Sequence, residues 1–105
     1  MAVEHAVIVR YQLGGGDFGS AGERTAVHAL TDRLAVAIGR ADVGEFDGDE
    51  FGGGAVTLYA YGPDADRLFA VMAEILRAFP ARPASVTLRY GAVDDLDAEQ
   101  RTIEL

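Results

Sequence analysis

The stretch VGEFDGDEFGGGAVTLYAYGPD, residues 43–64, decides the fold. Its two extended runs, Val43–Phe51 and Ala55–Tyr61, flank Gly52-Gly53-Gly54, and glycine supplies the positive φ angles that tight hairpin turns require. The pair predicts a β-hairpin, with Asp47-Gly48 offering a bulge or an earlier turn. In the second run Val56 and Leu58 alternate with Thr57, Tyr59 and Tyr61, the period of a strand with one buried face. Gly62-Pro63-Asp64 then breaks the strand. Asp64 is a good helix N-cap, and Asp66 adds a carboxylate in the first turn, where the helix dipole favours it.

Outward from the hairpin, the pattern repeats on both sides. Upstream, Ala6–Leu13 puts Val7, Val9, Tyr11 and Leu13 on one face and Arg10 and Gln12 on the other, as a half-buried strand does. Glycines from Gly14 to Gly19 end it. Ser20, followed three residues later by Glu23, forms a capping box for a helix whose core stripe is Val27, Leu30, Leu34 and Ile38, with Arg24, His28 and Asp32 on another face. Gly39 or Gly44 is expected to stop it. Downstream, the helix capped by Asp64 runs to Phe79 on a stripe of Leu68, Val71 or Met72, Ile75 and Phe79, and Pro80 ends it. Ser85–Tyr90 alternates as the next strand. After the acidic loop Asp94–Glu99, the run Arg101–Leu105 reads as a fifth strand, as a cover for the sheet, or as a segment that pairs across a subunit interface.

The order β-α-β-β-α-β predicts an α+β, ferredoxin-like split βαβ domain, with an antiparallel sheet and both helices on one of its faces. A chain of 105 residues, 50% of them hydrophobic, suffices for one such core and no second one, so residues 1–105 form a single domain. No apolar run reaches the roughly 20 residues of a membrane span. The start Met1-Ala2-Val3-Glu4-His5 lacks the basic segment of a signal peptide, so a soluble, cytoplasmic protein is expected. The absence of cysteine removes disulfide scaffolds, thiolate nucleophiles and cysteine-based zinc sites. All nine basic residues are arginine, and with abundant alanine and glycine this points to a GC-rich bacterial source. The formal net charge of −8 repels polyanions and disfavours DNA or RNA as a partner.

Four constellations carry candidate chemistry. Gly14-Gly15-Gly16-Asp17-Phe18-Gly19 fits the spacing of a dinucleotide loop, but the chain has no room for the further βαβ unit, and Asp17 would face the phosphates; a flexible β-to-α loop is expected. Glu45, Asp47, Asp49 and Glu50 bring carboxylates whose first three members alternate towards one side of a strand. Calcium loops, however, need a different glycine and glutamate spacing, so a solvated acidic edge is expected, with no metal and no cofactor. Of the two histidines, His28 lies four residues before Asp32, which suggests a helix-surface pair rather than a catalytic base. The open face of the sheet is the fourth. It is expected to carry Arg10, Gln12, Thr57, Tyr59, Tyr61, Thr87 and Arg89, with Arg10, Gln12, Tyr59, Tyr61 and Arg89 as its binding residues. The same fold in RNA-recognition domains stacks bases on central aromatics, but the glycine-aromatic signature is absent here. Tyr and Arg also mark protein interfaces.

The segments GEFDGDE, residues 44–50, and TLYAYGPDAD, residues 57–66, make residues 44–79 resemble a group of small bacterial proteins without an established activity. The resemblance transfers no catalytic residue, and it directs attention to the acidic hairpin and the Tyr-Gly-Pro-Asp turn. The expected function is that of a non-enzymatic regulatory or protein-binding domain, in the manner of an acidic inhibitor, acting through its acidic surface and the open sheet face. Its partner is expected to be a second copy in a homodimer or a basic protein. The alternative is a small-molecule-binding protein or enzyme with a pocket at a sheet-face dimer interface.

Overall fold

The computed structural model describes residues 4–92 and 94–105. Strand β1 (His5–Gln12) leads to helix α1 (Ala21–Ala41), the hairpin strands β2 (Glu45–Gly52) and β3 (Ala55–Gly62), helix α2 (Ala65–Ala78), and strands β4 (Ala84–Arg89) and β5 (Gln100–Glu104). The five strands form one open antiparallel sheet in the order β2-β3-β1-β4-β5. The C-terminal run thus extends the sheet at its edge, pairing with β4 of its own chain, and leaves the sheet face uncovered.

Alternation builds the core. Val7, Val9 and Tyr11 of β1, Val56 and Leu58 of β3, and Val86 and Leu88 of β4 are buried together with Val27, Leu30, Leu34 and Ile38 of α1 and Leu68, Met72 and Leu76 of α2. In α2, Leu76 takes the fully buried place that the sequence assigns to Ile75; Ile75, Val71 and Phe79 are half-buried at the margin of the core. A stripe of four apolar side chains admits neighbouring rotations, and α2 adopts the one that buries Ala65, Leu68, Met72 and Leu76. Tyr11 crosses the core to donate its hydroxyl to the Leu76 carbonyl at 2.7 Å, and its ring meets Phe79 edge to face at 4.9 Å.

The ends of the elements follow local chemistry. The Ser20 hydroxyl accepts from the Glu23 amide and the Glu23 carboxylate accepts from the Ser20 amide, a complete capping box. Asp64 accepts from the amides of Asp66 and Arg67. Helix α1 runs through Gly39 and stops on Asp42, which adopts the left-handed conformation (φ 54°, ψ 46°) with its amide donating to the Gly39 carbonyl. Neither expected glycine is the stop, because aspartate is one of the few side chains that tolerates this region. In the hairpin, Gly52 still pairs with Ala55, so the turn is only Gly53-Gly54, both at positive φ (61° and 76°) as a type I′ turn requires. Among the described residues, no helix is long and apolar enough to cross a membrane.

Candidate functional site

The glycine-rich loop after β1 closes on the chain itself. The amides of Gly14, Gly15 and Ser20 all donate to the Glu23 carboxylate at 2.8 Å, and these hydrogen bonds, that from Ser20 foremost and then that from Gly14, hold its pKa below the usual carboxylate value. The loop packs so closely that a Cβ on Gly15 would fall 2.4 Å from the Ser20 amide nitrogen. The place a phosphate takes in a nucleotide loop is filled by Glu23.

The two histidines are parts of other contacts. His28 stands edge to face against Phe51 of β2, with ring centres 6.3 Å apart. The His5 Nδ1 accepts from the Ala65 amide at 3.2 Å, and its ring meets Tyr90 at 5.8 Å. Tyr90 in turn donates its hydroxyl to Asp66 at 2.6 Å, which raises the pKa of that hydroxyl. These contacts anchor the N-terminus of α2 to the sheet.

The acidic hairpin does not present one row of carboxylates. Glu45 lies opposite Tyr61, but the register slips between Phe46 and Gly48, leaving Asp47 in a bulge. One extra residue inverts the parity beyond it, so Asp49 falls opposite Leu58 on the helix side and Glu50 opposite Thr57 on the open side. The expected alignment of Glu45, Asp47 and Asp49 is therefore absent. Among the described residues, no group of three or more His, Asp or Glu is arranged to hold a metal ion.

The open face is laid out in rows across the strands. Glu45, Tyr61, Ala6, Arg89 and Gln100 make one row; Gly48, Tyr59, Ile8, Thr87 and Thr102 the next; Glu50, Thr57, Arg10, Ser85 and Glu104 the third. The first two rows surround a hollow of about 380 Å³ lined by Glu4, Ala6, Ile8, Tyr59, Tyr61, Arg89, Gly91 and Ala92. Apart from Glu4 and Arg89 its lining is apolar or aromatic, and its volume lies within the usual range of ligand clefts, about 300–1,000 Å³. Tyr59, Tyr61 and Arg89, three of the five residues expected to act together, do meet here. Arg10 and Gln12 do not: they border a separate hollow of about 130 Å³ with Ser85 and Glu104, and the Gln12 amide donates to the Gly54 carbonyl at 3.0 Å.

Arg89 has a structural duty within the hollow. Its guanidinium donates to the Ala92 and Asp95 carbonyls and so holds the β4–β5 loop as one wall. Gly91 permits that fold, since a Cβ there would come within 2.7 Å of the Ala98 side chain. Burial raises the Tyr61 hydroxyl above the ordinary tyrosine range, and the negative charges of Asp47 and Glu4 act in the same direction, as does Tyr59. Asp47 and Glu4 thus lie within electrostatic reach of Tyr61. Sequence reasoning missed Ala6, Ile8 and the loop residues Gly91 and Ala92; the unbroken apolar run Ala6-Val7-Ile8-Val9, which marks both faces of β1 as apolar at that point, was the available signal.

Comparison with protein-family models, with curated proteins and with solved structures finds no match, so the functional reading of this face rests on its geometry and charge.

Proposed function

We propose that the chain is a non-catalytic binding domain on a ferredoxin-like split βαβ core, to which β5 is an addition, and that it holds a basic polypeptide on its acidic surface through the open face of the sheet. The observation that carries this reading is the tyrosine-lined hollow in a face whose margins are acidic. Amphipathic aromatics in a concave patch are the residues that anchor partners, and carboxylates around them select for a cationic one. The expected cytoplasmic setting belongs to the same proposal, and subcellular fractionation checks it.

Charge placement favours a basic partner over a second copy. A two-fold axis lying along β1 between two such faces sets Arg10 against Arg10 and Glu50 against Glu104; an axis across the strands sets Glu50 against Glu45. Like charges in register oppose either centred dimer. The volume of the hollow favours a second reading, a small-molecule pocket or enzyme site completed at a dimer interface.

The test joins light scattering of the purified chain at micromolar concentration with photocrosslinking from position 59 in the native host. A monomer that crosslinks to a polypeptide of basic isoelectric point supports the proposal. Self-crosslinking with a dimeric mass overturns it in favour of the dimer.

A further inference from the structure

We infer that the hollow between Tyr59, Tyr61 and Ile8 is the seat of one cationic side chain, an arginine or lysine, presented by the basic polypeptide. This deepens the function proposed above and rests on it. Aromatic faces attract a cation through their quadrupole, and the attraction grows when carboxylates stand behind the rings. Both elements are present: Tyr59 and Tyr61 line one side of the cavity, Glu4 sits on its rim, Glu45 pairs directly with Tyr61, and Asp47 lies close enough to Tyr61 to affect its ionisation.

One group opposes a cation here: Arg89 borders the hollow and keeps its charge, while its guanidinium donates to the carbonyls of Ala92 and Asp95, so the carboxylates at the Tyr61 side must outweigh it. The loop it holds continues through Asp94, Asp95, Asp97 and Glu99, an acidic segment that follows the Gly91-Ala92 wall in sequence. An incoming polypeptide thus finds an aromatic and aliphatic depression with Glu4, Glu45 and Asp47 on its Tyr61 side. Asp47, at the register slip, is a further carboxylate within electrostatic reach of Tyr61.

The test is calorimetric titration at 50 mM salt with an Arg-Gly repeat peptide and with its counterpart in which citrulline replaces arginine, a neutral side chain of the same shape. The arginine peptide is expected to bind and the citrulline peptide to lose at least tenfold. Tyr59→Leu/Tyr61→Leu, which keeps the apolar bulk and removes the rings, is expected to weaken the arginine peptide about fivefold or more, the scale of a partly desolvated cation–π contact. Glu4→Gln/Asp47→Asn is expected to weaken it more than Glu50→Gln/Glu104→Gln, which removes the same charge from the far part of the face. Circular dichroism establishes that each variant is folded. Equal losses for the two acid pairs, or indifference to the tyrosine change, would overturn the inference while leaving the basic-partner reading intact. Free arginine amide binding as tightly as the peptide would overturn it in favour of a small-molecule site. Failure of both peptides to bind would overturn it too, and the crosslinking result would then decide the broader proposal alone.

Discussion

The two faces of the sheet are made by alternate residues of the same strands, yet they are chemically unlike. On the helix side Val7, Val9, Val56, Leu58, Val86 and Leu88 are buried to 1% exposure or less, and Leu34, Leu68 and Leu76 meet them from the helices. On the open side Thr57, Tyr59, Tyr61, Thr87 and Arg89 are half-buried, with Arg10 and Gln12 exposed. One face has a single solution, close-packed and dry. The other offers amphipathic groups that neither complete a core nor belong to an ordinary wet surface, and that difference is the ground of the proposed binding role.

The largest effects should come from breaking the dry face. Leu58→Ala should cost about 2–5 kcal/mol in urea unfolding, the range for a large-to-small change in a sealed core. Its neighbour Tyr59→Leu, one residue along the same strand and on the other face, should stay within about 0.5 kcal/mol of the native chain. Equal costs would mean that Tyr59 is part of a core, and the contrast between the faces would be lost.

A smaller effect tests the polar bond inside the dry face. Tyr11→Phe leaves the Leu76 carbonyl without its donor and should cost about 1–3 kcal/mol. Burial raises the Tyr11 pKa far above its ordinary value of 10.0. Its protonated hydroxyl therefore contributes stability that is fully present below pH 10 and is lost as the pH rises beyond it. Alkaline unfolding followed by circular dichroism should be displaced to higher pH in Tyr11→Phe, relative to its own neutral stability. Identical alkaline profiles would contradict the role given to this hydroxyl.

Smaller again is the effect of the Glu23 cap. Its carboxylate is held below the ordinary value of 4.5, so its contribution is present above that pH and fades as the pH falls through the lowered folded-state value. Glu23→Gln should lower the thermal midpoint at pH 7, and the difference from the native chain should shrink as the pH is taken down through and below the ordinary carboxylate value. A constant difference across that range would show that the Glu23 charge has no part in closing the glycine loop.

The parts of this account that were legible in the sequence are those set by local chemistry. Ser20 with Glu23, and Asp64 with Asp66, declared the two helix starts because a cap needs only its own first turn. Val7, Val9, Val56 and Leu58 declared their strands because their period belongs to the backbone. What escaped depended on partners distant in sequence. Leu76 was preferred to Ile75 by the final rotation of α2, and Asp42 replaced the expected glycine stops because its own left-handed geometry sufficed. The bulge at Asp47 reversed the side on which Asp49 lies, and one residue of slip is invisible to an alternation count. In the candidate site, Tyr59, Tyr61 and Arg89 were legible from parity, whereas Arg10 and Gln12 were separated by distance along the strand. Ala92 and Gly91 entered only through the loop that Arg89 holds.

The most direct test of the central claim is to map, by amide chemical shifts on the isotopically labelled chain, where the Arg-Gly repeat peptide binds. The account predicts that the largest perturbations fall on Ala6, Ile8, Tyr59, Tyr61, Gly91 and Ala92, around the hollow of the open face. Perturbations centred instead on Ala26, Ala29, Ile75 and Phe79, which line the trough between the two helices, would contradict it.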